Sequence, residues 1–189
     1  MDHYPEELAP DFEEGGAVST PFEEWWRRAL TYYGHVPEIV AKEWLHRHWG
    51  HSPYSWIPSH RYAFELAEWP SEKLAEIRTR HYDFALAPQR YVNRGKNLFE
   101  GTGQPEQGQR SWCWLRKYMY SEKKMPAPIV VLDNTDDHIR VSDFVPDNEN
   151  DMPAAYIVLE GHNRLEYGHY LYSQGMFSEN FELCLVRLT

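Results

Sequence analysis

A strand-to-helix junction carrying reactive side chains lies in the segment 156-YIVLEGHNRLEYGHYL-171. An apolar run stops at an acid and a glycine, a His-Asn-Arg triplet follows, and a helical pattern then begins. A helix that starts right after a buried strand exposes unpaired backbone N–H groups at its first turn, where the helix dipole favours an anion. Gly161 permits close approach of a ligand, and Arg164 can hold a phosphate or carboxylate through two parallel hydrogen bonds.

Acid–base chemistry is the second capability of this junction. His162 titrates near neutral pH, and Glu160 is an acceptor that can orient the imidazole or bind a metal ion through water. The pattern predicts Glu160, His162 and Arg164 as catalytic groups. The ligand-binding loop comprises Gly161, His162, Asn163 and Arg164. The structural alternative is that Asn163 caps the helix, Gly161 makes the turn and Arg164 pairs with a neighbouring acid.

A second pair of polar residues, Asp133 and Asn134, follows the apolar run IVVLD. Ligands of open α/β sheets lie beyond the carboxyl ends of strands. Both residues are therefore predicted to reach the same site, where either would position Mg²⁺ or a substrate hydroxyl. The alternative is an Asx turn at the start of a loop.

Other titratable residues are predicted to be structural. Glu166 and His169 are three residues apart on the helix after the junction, a spacing that favours a helix-surface hydrogen bond over an ion site. His46 and His48 are two residues apart, so on a helix they face different directions. No metal-ligand set is predicted.

The order of the C-terminal segments resembles the ParB/sulfiredoxin superfamily over roughly residues 125–189. The matching pattern is PAPIVVLD, a loop, YIVLEGHNRLEYGHYL and a closing strand after Gly175. In that superfamily a P-I-x-V strand is followed by a strand ending in an (Asp/Glu)-Gly-His-x-Arg-Leu-type motif that opens a helix. The resemblance implies that the loop from Gly161 to Arg164 binds nucleotide phosphates, with ATP or CTP and Mg²⁺ as the expected ligands.

The residues at individual positions of the motif limit the activities that the resemblance implies. Sulfiredoxins carry their catalytic cysteine where this chain has His162, which argues against sulfiredoxin chemistry. The motif is similar to the Asp-Gly-His-His-Arg loops of nucleotide-dependent small-molecule kinases, with Glu160 for the Asp and Asn163 for the second His. We expect a nucleotide- or phosphate-ligand-binding protein, with Mg²⁺-dependent phosphotransfer or nucleotide hydrolysis as the activity. The alternatives are a non-enzymatic protein-interaction module with a vestigial site and a ParB-like nuclease.

The elements that must position this site change character along the chain. Apolar spacing predicts a helix from residue 22 that ends at Gly34, and a second from Pro37 to Gly50. Later elements are a short helix from Ser71, a Gly-, Asn- and Gln-rich loop over 91–110, and a helix over 111–122. Strands are predicted at IVVLD, more weakly at HIRVSDFV, and at AYIVLE and FELCLVRL.

The expected organisation is an α+β or α/β fold, a helical N-terminal part packed on a small mixed-sheet ParB/sulfiredoxin-like domain. Residues 1–20 are predicted to be a disordered acidic tail, 21–124 a mainly helical region rich in aromatic residues, and 125–189 the α/β domain. The tryptophans of the helical region are expected mainly in a core. A platform for a base or an interface with a protein partner is their alternative role.

Charge and hydropathy limit the partners. The chain has a net charge of -10, and residues 125–189 carry eleven acids against three bases, which disfavours nucleic acid there. Residues 25–124 carry sixteen bases against ten acids. No apolar run is long enough for a membrane span, and the acidic N-terminus lacks the features of a signal peptide. A cytoplasmic protein is expected.

Overall fold

The computed structural model describes residues 4–50, 52, 54, 57–79, 89–100, 109–139 and 153–189. The chain forms two compact units, the first comprising Met1–Leu66 with Cys184–Thr189 and the second Ala67–Leu183. These boundaries differ from the expected ones after residues 20 and 124. The difference arises because residues 1–20 group with the helices that follow them, residues 67–124 group with the C-terminal segment, and only Cys184–Thr189 of that segment return to the first unit.

The first unit is built on helices with aromatic cores. A 3₁₀ turn at Glu6–Leu8 precedes α1 (Phe22–Tyr33), and α2 begins at Glu38–Val40 and continues as a π-helical segment, Ala41–His46. Gly34 follows α1 as the sequence predicts. The indoles of Trp25, Trp44 and Trp49 are buried, in agreement with the predicted core role.

The N-terminal segment is folded over the part that the structure describes, residues 4–20. Leu8 is buried, and its carbonyl accepts a hydrogen bond from Trp25 Nε1 at 2.8 Å. The ring of Tyr4 packs on that of Trp49 at a centroid distance of 4.5 Å. The acidic composition predicted a disordered tail. A few apolar and aromatic side chains instead anchor this segment to α1 and to the residues after α2.

A five-stranded mixed sheet has the order β1-β5-β3-β4-β2. The strands are β1 (Tyr62–Pro70), β2 (Ile77–Arg78), β3 (Ile129–Asp133), β4 (Tyr156–Glu160) and β5 (Asn180–Leu188). β4 pairs parallel with β2 and antiparallel with β3. The runs IVVLD, YIVLE and FELCLVRL form strands as predicted, and the α+β class is therefore correct. The weaker candidate HIRVSDFV lies almost wholly outside the described residues.

Three helices accompany the sheet in the second unit: α3 (Gln89–Glu100), α4 (Gln109–Glu122) and α5 (His162–Ser173). A 3₁₀ segment, Ser71–Glu76, leads into β2. The prediction of a loop over 91–110 is wrong for its first half, which is α3. Gly95 brings α3 against α5, since a Cβ at this position would lie 2.0 Å from the Glu166 carbonyl oxygen. Among the described residues, no helix is both long and apolar enough to cross a membrane.

Candidate functional site

The junction between β4 and α5 forms where the sequence predicts it. β4 ends at Glu160, and Gly161 is the N-cap of α5 in a left-handed conformation with φ 96° and ψ 26°. The first helical hydrogen bond runs from the Leu165 amide to the Gly161 carbonyl at 2.9 Å. No side chain caps the helix, so the proposed capping role of Asn163 is not what the structure has.

Gly161 is tightly enclosed by its neighbours. A Cβ at this position would lie 2.7 Å from Ile129 Cγ2, 2.9 Å from Arg164 Nε and 3.1 Å from Arg164 Nη2. A positive φ also disfavours any residue with a side chain. The Gly161 Cα therefore packs directly against an isoleucine methyl and a guanidinium, with no room for a side chain.

Arg164 is directed inward rather than into solvent. Its residue is 8% exposed, and Nη2 lies 3.5 Å from Glu160 Oε1. This pair spans one helical turn and ties the strand end to the helix. The structure therefore brings Glu160, Gly161 and Arg164 together. The guanidinium packs against its own junction, which matches the structural alternative more closely than an open anion grip.

His162 and Asn163 occupy the first turn of α5 and are half-buried. They therefore lie beside Gly161, at the carboxyl end of β4. β2 runs parallel to β4 with Arg78 opposite Ile157, so both strands end towards the same edge of the sheet. This edge is where ligands of open α/β sheets are found.

Asp133 and Asn134 are not part of this cluster. In the antiparallel pairing of β3 with β4, Asp133 lies opposite Tyr156, whereas Glu160 lies opposite Val130. The two polar residues therefore lie at the other end of β4, about 13 Å away by strand rise. The prediction that they reach the junction is wrong because β3 runs antiparallel to β4.

Asn134 organises the chain after β3. It is completely buried, and its Nδ2 donates to the carbonyls of Ile139 at 3.2 Å and Pro153 at 3.0 Å. Its Oδ1 accepts a hydrogen bond from the Ile139 amide at 2.9 Å. Asp133 Oδ1 accepts a hydrogen bond from the Thr135 hydroxyl at 2.6 Å. These contacts are those of a turn, the alternative that the sequence left open.

A second polar cluster lies at the contact of α3 with α5, and the sequence did not predict it. Glu166 is 1% exposed, and both of its carboxylate oxygens lie near Arg94 Nε, at 2.9 and 3.0 Å. Only the 3.0 Å contact has hydrogen-bond geometry. Burial raises the pKa of Glu166 to about 7, although Arg94 opposes the shift. The prediction of a helix-surface residue is wrong because α3 covers this face of α5.

His169 belongs to the same buried cluster. Its ring stacks on Tyr91 at a centroid distance of 5.2 Å, and the Tyr91 hydroxyl accepts a hydrogen bond from the Thr79 amide at 3.3 Å. Burial lowers the pKa of His169 to about 4, and the positive charge of Arg78 makes a smaller contribution in the same direction. The imidazole is therefore neutral at physiological pH. Tyr91 and Gly95 are four residues apart and share one helix face, which is the sequence signal for this contact.

A cleft of about 500 Å³ lies elsewhere in the second unit. It is lined by Glu68, Tyr118, Lys124, Met125, Pro126, Ser178, Glu179, Asn180, Phe181 and Glu182. The junction residues 160–164 do not line it. Across the ranges that the structure describes, no three His, Cys, Asp or Glu side chains gather closely enough to hold a metal ion.

Comparison of the chain with protein-family models, with curated proteins and with solved structures finds no match. The candidate site is therefore defined by its own geometry.

Proposed function

We propose that the β4–α5 junction binds a phosphate group of a nucleotide. The observation that carries this proposal is the helix start at Gly161, a left-handed N-cap without a capping side chain and with the Arg164 guanidinium alongside. Helix N-termini favour anions through their backbone amides and dipole.

Arg164 supplies the positive charge for such a ligand. Its Nη2 lies 3.5 Å from Glu160 Oε1, which is longer than a strong charge-assisted hydrogen bond. A phosphate at Gly161 would offer the guanidinium a shorter, bidentate contact. Once Arg164 contacts the phosphate, Glu160 could bind a Mg²⁺ ion through water, since Mg²⁺ prefers oxygen ligands. The cation would also offset the repulsion between the carboxylate and the phosphate.

The resemblance to the ParB/sulfiredoxin superfamily supports the same ligand class through the residues Glu160 to Arg164. If the bound nucleotide reacts, His162 is the acid–base group in the first turn of α5, and Arg164 neutralises charge that develops on phosphate. ATP and CTP with Mg²⁺ are the ligands to test first. Phosphotransfer and hydrolysis are distinguished by the products formed with and without an acceptor alcohol.

Isothermal titration calorimetry of the full chain with ATP and with CTP, each with and without Mg²⁺, tests this function. Arg164→Ala is expected to weaken binding roughly tenfold to a hundredfold, as the loss of a charge-assisted hydrogen bond predicts. Arg187→Ala is the matched control, because this arginine lies in the first unit and pairs with Glu65 at the surface. Equal affinities of wild type and Arg164→Ala, or no binding to either, would contradict the proposal.

A non-enzymatic interaction protein is the second candidate, and the burial of Arg164 favours it. A guanidinium that is 8% exposed and paired with Glu160 can serve the fold alone. In that case Arg164→Ala lowers the melting temperature, and no nucleotide raises the melting temperature of the wild type. Thermal denaturation with and without ATP, CTP and Mg²⁺ separates the two functions.

A ParB-like nuclease is the third alternative, and an assay for cleavage of DNA and RNA tests it.

A further inference from the structure

The outward side of α4 and the two residues after it carry large aromatic side chains interleaved with lysines. Trp114 is 57% exposed and Tyr120 is 50% exposed. Lys117 and Lys124 are also exposed, and Tyr118 and Lys123 are half-buried between them. We call these six residues the α4 surface.

The aromatic rings of the α4 surface are held in place by their neighbours. Trp114 and Tyr118 pack at a centroid distance of 5.4 Å, and Tyr120 packs on Phe99 at 5.5 Å. Lys123 Nζ lies 4.3 Å from the centre of the Tyr120 ring. Ordering these rings on binding therefore costs little entropy, and Trp and Tyr are the side chains most often responsible for binding energy at protein interfaces.

The charge of the α4 surface is opposite to that of the whole chain. Between residues 114 and 124 the sequence has four bases, Arg116, Lys117, Lys123 and Lys124, and one acid, Glu122. The complete chain has a net charge of -10. Charge complementarity therefore selects an acidic partner for this helix.

The surroundings favour an acidic protein segment over a nucleic acid. Tyr118 and Lys124 also line the 500 Å³ cleft, whose other walls carry Glu68, Glu179 and Glu182. A continuous phosphate backbone on α4 would meet these carboxylates, whereas a peptide can place its acids on the lysines alone. One face of the Tyr120 ring is also covered by Lys123, which leaves less ring surface for a base to stack on.

We propose that the α4 surface docks an acidic segment of a partner protein, with an aromatic or aliphatic side chain of that segment packed on Trp114 and Tyr118. The lysines of the α4 surface pair with the acids that flank this anchor. The surface lies within the second unit and does not include the β4–α5 junction, so this inference does not depend on nucleotide binding.

Selection from a displayed library of short random peptides tests the proposal, with the full chain as bait. The recovered peptides are expected to be rich in Asp and Glu and to contain Trp, Phe or Leu. Fluorescence anisotropy of a labelled peptide from this set is expected to show roughly thirtyfold weaker binding to Trp114→Ala, the size of an interface hot spot. Lys117→Glu is expected to weaken binding as well, and added salt to reduce it further.

Tyr172→Ala is the matched control, because Tyr172 is an exposed aromatic residue on α5, 44% exposed, outside the α4 surface. Its affinity for the peptide should equal that of the wild type, and all variants should melt at similar temperatures. The proposal is overturned if the library yields no peptides or basic ones, or if Trp114→Ala binds as the wild type does. Tighter binding of labelled oligothymidylate, or self-association that Trp114→Ala abolishes, would also overturn it, in favour of a nucleic acid or a second copy.

Discussion

Arg94 Nε on α3 lies 2.9 Å from one carboxylate oxygen of Glu166 on α5 and 3.0 Å from the other. The carboxylate is completely buried, whereas the Arg94 side chain is 44% exposed. The ion pair therefore joins two helices from the edge of their contact, with the acid inside and the base at the water boundary. This geometry makes the two partners unequal in their effect on stability.

Arg94→Ala is expected to lower the free energy of unfolding by roughly 1–3 kcal/mol, because the buried Glu166 carboxyl loses its charged partner. The matched control is Arg187→Ala, whose pair with Glu65 is exposed on both sides. That variant is expected to lose less than about 1 kcal/mol. Urea unfolding at neutral pH measures both values. Equal losses would show that the Arg94 pair behaves as an ordinary surface pair.

The pH dependence of stability should reveal Glu166 and His169 acting in opposite directions. The pKa of Glu166 is raised from 4.5 to about 7, so its contribution to stability is complete below pH 4.5 and is lost as the pH rises towards 7. The pKa of His169 is lowered from 6.5 to about 4, so its contribution is complete above pH 6.5 and is lost as the pH falls towards 4. Between pH 4.5 and 6.5 the two slopes oppose each other.

Removing either titrating group should therefore reveal how the other group changes the free energy of unfolding with pH. In Glu166→Gln the free energy of unfolding is expected to rise with pH over this interval, relative to wild type, by up to about 1.4 kcal/mol per pH unit. In His169→Phe, which keeps a ring against Tyr91, it is expected to fall relative to wild type. Urea unfolding at several pH values measures these profiles. If both variants give profiles parallel to that of the wild type, Glu166 and His169 do not contribute to the pH dependence of stability.

Gly95→Ala should separate α3 from α5. The new Cβ would lie 2.0 Å from the Glu166 carbonyl oxygen, which belongs to a helix backbone and cannot rotate away. The free energy of unfolding is expected to fall by at least roughly 2 kcal/mol. This loss exceeds the stabilisation that alanine gives over glycine through its higher helix propensity. Gly15→Ala is the control, because nothing lies within 4 Å of its added Cβ. Near-UV circular dichroism and urea unfolding report the change, and similar stabilities of the two variants would contradict it.

Gly161→Ala and Gly175→Ala separate backbone strain from lack of space. Both glycines have a positive φ, 96° and 65°, but a Cβ at Gly175 meets open space. Each alanine is expected to cost about 1–2 kcal/mol in strain. Gly161→Ala should cost more, because it also displaces Ile129 or Arg164, and it alone should abolish nucleotide binding in calorimetry. Equal stabilities of the two variants would show that Ile129 and Arg164 make room for the new methyl group without cost.

Local patterns in the sequence are sufficient for the strands that position the junction. β3 and β4 are continuous runs of β-branched and apolar residues, and Gly161 marks the start of α5. α3 was missed because Gly95, Asn93 and Asn97 are typical of loops. Its helix depends on packing, since Gly95 allows the close contact with α5 that buries Tyr91.

The content of the site was less predictable than its location. The junction residues are adjacent in the chain, so their proximity followed from local structure. The distance of Asp133 from the junction depends on whether β3 runs parallel or antiparallel to β4, and no local sequence pattern encodes this direction. The inward direction of Arg164 accompanies its pair with Glu160 at the end of β4. Long side chains have several rotamers, and their choice is made by tertiary contacts.

The side chain of Asn134 holds the backbone of Ile139 and of Pro153 at the same point. Two distant positions of the chain are thereby clamped together by a single buried amide. The chain is thus fixed on both sides of the interval from 140 to 152, and the β3–β4 register is set by contacts that lie outside it.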